Sequence, residues 1–165
     1  MSIELIVLDV DGTLTNGKIS YTQNGDEIKS FCVKDGLAIA SWLKLGKEVA
    51  IITGRNSKIV EKRANELGIK YFYQGVKDKK EVLENILGKL NLSMENVASI
   101  GDDLNDYTML KASKISFVPA DASEYVKEIA NKVLSKKGGK GAVREMIEIL
   151  IKRENLEKEY LQLWQ

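Results

Sequence analysis

Short β-type runs rich in apolar residues alternate along the chain with stretches in which apolar residues return every three or four positions. The first kind, at 4–8, 48–52, 70–73, 97–100 and 115–118, predicts strands. The second, at 36–45, 57–67, 79–90, 105–112 and 123–130, predicts amphipathic helices, with Gly46 and Gly68 as stop signals and a last helix at 142–153. The runs LIVL and VAII are apolar at successive positions, so both faces of those strands need cover, as in a parallel sheet with helices on each side. The pattern predicts an α/β fold, a single-domain doubly wound parallel sheet over 1–165. One segment breaks the alternation. In 18–31, KISYTQNGDEIKSF, β-type runs flank Asn24-Gly25, which predicts a β-hairpin inserted after the first strand, with exposed edges that need a partner.

Three predicted strands end in polar residues. Asp9, Val10 and Asp11 follow the first, Thr53 and Gly54 follow VAII, and Gly101, Asp102 and Asp103 follow VASI. In a parallel sheet these ends share one edge, where the loops of open α/β folds form a ligand crevice. Each cluster alone has an ordinary explanation as turn or helix-capping chemistry; three at one edge point to a site. Gathered carboxylates repel unless a cation joins them or one is protonated. An oxygen-rich set without His or Cys suits Mg²⁺. Asp9 can then attack phosphorus while Asp11 exchanges a proton with the leaving or attacking oxygen. Thr53 and a lysine at the start of a following helix supply donors for phosphoryl oxygens. Asp78 is a good N-cap, which favours Lys79 for that lysine, although spacing leaves Lys80 open.

Composition narrows the chemistry. The 165 residues contain no histidine, which excludes histidine-based phosphatases, His-dependent triads and His-ligated zinc. A net charge of +1 with interspersed signs leaves no electrostatic footprint for nucleic acid or an anionic membrane. One cysteine, Cys32, and an N-terminus without signal character lead us to expect a cytoplasmic protein without disulfides. Two motif matches fail. DVDG puts glycine at the fourth position of an EF-hand loop, with Ser20 at the twelfth, and KKGGKGA (136–142) lacks Walker A spacing, so it is expected to be a flexible turn.

Asp9-Val10-Asp11-Gly12-Thr13, Thr53-Gly54, Lys79, and Gly101-Asp102-Asp103 with Asp106 resemble, in order and spacing, the four motifs of the haloacid dehalogenase superfamily. TGRNS, RANELGI, YQGVKDK, IGDDLND and GGKGAVREM narrow the resemblance to its small capless sugar-acid phosphatases, best the 3-deoxy-D-manno-octulosonate 8-phosphate phosphatases. The resemblance implies a Mg²⁺-dependent phosphomonoesterase of lipopolysaccharide biosynthesis that has no cap domain and acts on a phosphosugar. It also implies a homotetramer whose hairpins and neighbouring subunits complete each active site. Asp9 would be the nucleophile and Asp11 the acid and base. The metal would be held by the Asp9 carboxylate, the Asp11 backbone carbonyl and Asp102. Asp106 would support a metal water or Lys79, and Asp103 would assist or cap a helix. Arg55 and Arg63, expected on a shared helix face near the pocket mouth, match substrate-pocket positions of the family. A related nonulosonate 9-phosphate phosphatase and a receiver-type phospho-accepting domain remain alternatives, and no role is assigned to the tail 154–165.

Overall fold

The computed structural model describes residues 1–165 and contains one six-stranded sheet and a separate two-stranded hairpin. The strands are β1 (Leu5–Leu8), β2 (Ser20–Tyr21), β3 (Glu27–Ile28), β4 (Glu48–Ile52), β5 (Tyr71–Tyr73), β6 (Val97–Ile100), β7 (Ile115–Val118) and β8 (Lys132–Val133). The helices are α1 (Val33–Lys44), α2 (Lys58–Leu67), α3 (Lys79–Leu90), α4 (Tyr107–Ala112), α5 (Glu124–Ile129), α6 (Ala142–Arg153) and α7 (Glu157–Gln162). All pairings in the large sheet are parallel, in the order β5-β4-β1-β6-β7-β8. β1 therefore lies between β4 and β6, and the chain reverses its direction across the sheet between β1 and β6.

The two apolar faces separate by strand alternation. Ile6 and Leu8 of β1, with Val49 and Ile51 of β4, pack under Ala38, Ile39 and Trp42 of α1, Val60 and Ala64 of α2, and Val143, Met146, Ile147 and Leu150 of α6. Leu5, Val7, Ala50 and Ile52 face Leu83, Ile86 and Leu87 of α3 and Met109 of α4. Every β1 residue is buried, so the expected doubly wound arrangement is what the two-sided apolar strands produce. No helix is long and apolar enough to cross a membrane.

The elements differ from expectation at the places where local signals are weak. α1 begins at Val33, ahead of the expected 36, because its first turn is held from outside: buried Asp35 accepts from the Arg144 backbone N–H at 2.9 Å and so caps α6 from another helix. The helix expected over 105–112 starts instead as a 3₁₀ turn, Leu104–Asp106, before α4. The two-residue edge strand β8 and the tail helix α7 lie outside the elements that the pattern predicts. The hairpin forms with Gly25 at φ +85° in the loop 22–26 between the strands, and the Gly25 N–H donates to the Thr22 carbonyl at 3.0 Å.

Candidate active site

Because β4, β1 and β6 are adjacent and parallel, their carboxyl ends bring Thr53, Asp9 and Asp102 side by side. The Asp9 N–H donates to the Ile100 carbonyl at 3.1 Å and the Thr53 N–H to the Tyr73 carbonyl at 2.9 Å, so the sheet ladder continues up to the polar residues themselves. A cavity of about 180 Å³ opens in front of them, lined by Asp9, Asp11, Thr53, Gly54, Arg55, Asp102, Asp103 and Asn105, with no apolar residue. It is smaller than the roughly 300–1,000 Å³ of typical ligand pockets, a size for a phosphoryl group with the rest of a substrate at the mouth. The larger 260 Å³ hollow between α6 and α7 lies away from these residues.

The loop after β1 is shaped by two close approaches. Gly12 sits at φ +89°, and a Cβ there would lie 1.8 Å from Asp102 Oδ2, so only glycine lets the β6 carboxylate come this near. Gly138 abuts the same loop from the other side, where a Cβ would lie 1.8 Å from the Gly12 carbonyl oxygen, and the Gly139 N–H donates to the Thr13 carbonyl at 3.0 Å. KKGGKG is thus a packed brace on the loop that carries Asp9 and Asp11, contrary to the expectation of a flexible turn.

Lys79 enters from the first residue of α3. Asp78 caps that helix through the Glu81 N–H at 3.0 Å, and the Lys79 side chain is fully enclosed. Its Nζ donates to Asp9 Oδ1 at 2.7 Å and to Asp106 Oδ1 at 2.5 Å. Lys80 instead reaches Glu84 on the surface at 3.6 Å. The other oxygen of Asp106 accepts from the backbone N–H groups of Asp102 and Asp103 at 2.9 and 3.3 Å. Asp106 therefore has both oxygens committed, and its place is to hold Lys79 and the 102–103 backbone. Asp103 caps its own turn, accepting from the Leu104 N–H at 2.8 Å.

The electrostatics favour a cation. Burial, then the carboxylates of Asp9, Asp106 and Asp103, push the Asp102 carboxyl far above its ordinary range. Burial and Asp9 also raise Asp106, against the opposing pull of Lys79. Lys79 is opposed by its burial, but Asp9 and Asp106 outweigh that and raise its pKa. One ammonium thus faces three buried or half-buried carboxylates. Oxygen atoms of Asp9, Asp102 and Asp106 lie within 4.8 Å of one another. With Asp106 committed, Asp9 and Asp102 are the carboxylates open to a metal, a hard oxygen set that fits Mg²⁺.

Two arginines have different fates. Arg55 lines the cavity, half exposed, and its Nη2 donates to Glu27 Oε1 of the hairpin at 2.8 Å. Arg63 is not brought there. Ser57 caps α2, which leaves Arg55 in the preceding loop, so the two do not share a helix face. Arg63 lies over the Phe31 ring at 5.6 Å, packs on Gly36 of α1 and pairs with Glu66 at 3.5 Å. Sequence reasoning missed Asn105 in the cavity lining and Lys29, whose Nζ donates to Asp11 Oδ1 at 2.6 Å.

Known proteins resemble this chain in sequence and in fold. A family model of haloacid dehalogenase-like hydrolases matches residues 72–147. The 3-deoxy-D-manno-octulosonate 8-phosphate phosphatase of Haemophilus influenzae is 40% identical over 153 residues, 93% of this chain and 85% of its own. That of Escherichia coli K12 is 43% identical over 150 residues, 91% and 80%. Among solved structures, the Moraxella catarrhalis 3-deoxy-D-manno-octulosonate 8-phosphate phosphatase, in complex with magnesium ion, phosphate ion and KDO, aligns with a TM-score of 0.95 at 37% identity, covering 99% of this chain and 94% of that one. The cobalt-bound Haemophilus influenzae phosphatase aligns with a TM-score of 0.89 at 40% identity, covering 93% and 90%.

Proposed function

The chain belongs to the 3-deoxy-D-manno-octulosonate 8-phosphate phosphatase family of the haloacid dehalogenase-like hydrolases, and from that premise we propose a division of labour among the residues of its site. The protein is a Mg²⁺-dependent phosphomonoesterase of lipopolysaccharide biosynthesis. It hydrolyses 3-deoxy-D-manno-octulosonate 8-phosphate to the free sugar acid and phosphate, in this reading through an aspartyl-phosphate formed on Asp9. The observation that carries the assignment of roles is Asp9, buried at the end of the central strand, held by Lys79 and facing a small all-polar cavity.

Asp9 attacks phosphorus, and its bond to phosphorus forms as the bond from phosphorus to the sugar oxygen breaks. Asp11 gives its carboxyl proton to that departing oxygen. In the second half Asp11 takes a proton from the water that attacks phosphorus, and the bond from Asp9 to phosphorus breaks to release phosphate. Thr53, the Gly54 backbone and Lys79 receive the phosphoryl oxygens. The Asp9 and Asp102 carboxylates and the Asp11 backbone carbonyl would hold Mg²⁺, which would supply positive charge against the phosphoryl oxygens and the clustered carboxylates. Asp106 fixes Lys79, and Asp103 holds the turn after β6. Residues 1–165 act as one hydrolase domain in this reading. The decisive experiment is phosphate release from a panel holding the 8-phosphate, a nonulosonate 9-phosphate and neutral sugar phosphates. Preference for the 8-phosphate, lost in EDTA and restored by Mg²⁺, supports the assignment, and preference for the 9-phosphate or indifference to EDTA defeats it.

Arg55 is the cation for the carboxylate of the sugar acid. Its planar fork suits a carboxylate, and the support for the reading is that its Nη2 donates to a carboxylate oxygen, Glu27 Oε1, at 2.8 Å. Arg55→Ala is expected to lower kcat/KM for the 8-phosphate by roughly ten- to a hundredfold, about 1–3 kcal/mol for a lost charged hydrogen bond, with little effect on an aryl phosphate. Equal losses on both would assign Arg55 to phosphate or to the fold.

The same reading makes the protein a cytoplasmic homotetramer, with Cys32 a reduced thiol. Its support is the hairpin, whose strands pair only with each other and expose Tyr21 and Ile28. Sedimentation at assay concentration should give four chains, and a fully active monomer would refute the assembly.

A further inference from the structure

The hairpin already touches the site of its own subunit. Glu27 of β3 and Lys29, just beyond the end of β3, each end on a residue of the cavity: Glu27 on Arg55 at 2.8 Å, Lys29 on Asp11 at 2.6 Å. The two ion pairs differ in kind. Arg55 is 47% exposed at its side chain, a pair that water screens. The Lys29 side chain is 0% exposed, while Asp11 keeps 21% and faces the cavity. An ammonium enclosed in this way is retained only with a partner, and its hydrogen-bond and ion-pair partner is Asp11. Lys29 does not line the cavity, and the cation beside Asp9 is Lys79.

We propose that Lys29 is a positioning residue for the proton transfers of Asp11, an inference that rests on the acid–base reading of Asp11. An aspartate in a flexible loop beside solvent can rotate about χ1, and an acid misplaced by about 1 Å can lose a hundredfold in rate. The loop here is braced at Gly12, but the backbone brace does not fix the side chain. The charged hydrogen bond from Lys29 does, holding Oδ1 and leaving Oδ2 for the proton that passes to the sugar oxygen and later comes from water. The hairpin then has a task within its own subunit. Two strands of two residues are marginal alone, and docking Lys29 onto Asp11 couples an ordered hairpin to a correctly aimed acid.

Leaving-group dependence tests this. An alkyl leaving oxygen needs the proton from Asp11, whereas p-nitrophenolate leaves almost unaided. Wild type, Lys29→Met, Lys29→Arg, Asp11→Asn and the Lys29→Met/Asp11→Asn double variant are compared with Mg²⁺ present, by kcat and KM on the 8-phosphate and by single-turnover release of p-nitrophenolate. Lys29→Met is expected to lower kcat on the 8-phosphate by roughly ten- to a hundredfold, with KM changed only a few-fold. Single-turnover aryl release should be nearly unchanged. Lys29→Arg should recover most of the loss, and the double variant should be no slower than Asp11→Asn alone, since a residue acting only through Asp11 has nothing further to remove. If Lys29→Met disturbs the fold by circular dichroism, Lys29→Gln, a neutral donor, is read in its place. No loss, equal losses on both substrates, or losses that multiply in the double variant overturn the proposal while leaving Asp11 as the acid. If Asp11→Asn itself spares the 8-phosphate reaction, the reading of Asp11 falls and the proposal falls with it.

Discussion

Asp9→Asn is expected to reduce phosphate release to background, a loss on the order of 10⁶-fold of the kind seen when a covalent nucleophile is removed, while leaving the fold intact. The substitution is nearly isosteric at a position only 4% exposed, and the amide oxygen can still accept from Lys79. What disappears is the carboxylate that bonds to phosphorus. One like charge also leaves the crowd around Asp102, whose carboxyl is pushed up by burial and by Asp9. The variant's thermal midpoint in EDTA should therefore be no lower than that of the wild type, because relief of repulsion opposes the weakened contact with Lys79. Substantial turnover by a folded Asp9→Asn protein would remove the aspartyl-phosphate from the mechanism, and a folded protein that accumulates stable phosphate on Asp9 in the wild type would return the receiver alternative.

The parts of this molecule that were legible in its sequence are those decided by neighbours along the chain. β1, β4 and β6 announce themselves because burial on both faces demands largely apolar runs, broken in β6 only by buried Ser99, and the polar residue ending each run is then placed by the parallel sheet. Lys79 was legible because its cap, Asp78, precedes it directly. The parts that escaped are decided by contacts between distant segments. Lys29 meets Asp11 across 18 residues, and nothing local to either marks the encounter. Asp35 extends α1 by capping α6 across 109 residues. β8 is two exposed residues whose strand character comes only from pairing with β7. Gly138 and Gly139 of KKGGKG look like freedom in isolation and prove to be clearance, Gly138 for the Gly12 backbone and Gly139 for that of Thr15 and Asn16. Arg63 shows the converse error, a helical spacing extended back through a capping residue, Ser57, where the helix had not begun.

Lys79→Met should separate the two duties of the buried lysine. Methionine keeps an unbranched apolar stem in the enclosed channel but removes the ammonium that lies 2.7 Å from Asp9 and 2.5 Å from Asp106. Breaking a buried pair by removing one partner leaves an uncompensated charge and costs about 3–5 kcal/mol. Urea unfolding in EDTA near pH 8 should show a loss of that size. The pH dependence follows from the carboxyls left behind. Burial already raises Asp102 and Asp106, and loss of Lys79 removes the opposing pull on Asp106, so the folded state of the variant holds protons that the unfolded state releases. Stability then falls as pH rises from the unfolded carboxylate range of about 4 through the raised folded values. The wild-type lysine, whose pKa is raised, stays charged throughout that interval and loses its contribution only above its ordinary alkaline range. The gap between variant and wild type should accordingly be narrower at pH 5 than at pH 8. Added Mg²⁺ should narrow it at pH 8 as well, since binding to the folded carboxylates stabilises by mass action. Turnover with saturating Mg²⁺ should still fall by about 10²–10³-fold, the scale of losing one preorganised donor to developing charge. A variant as stable as the wild type at pH 8 in EDTA would mean that the carboxylates around Lys79 are already protonated in the native protein, and that Asp9 is not held as a nucleophile by its lysine.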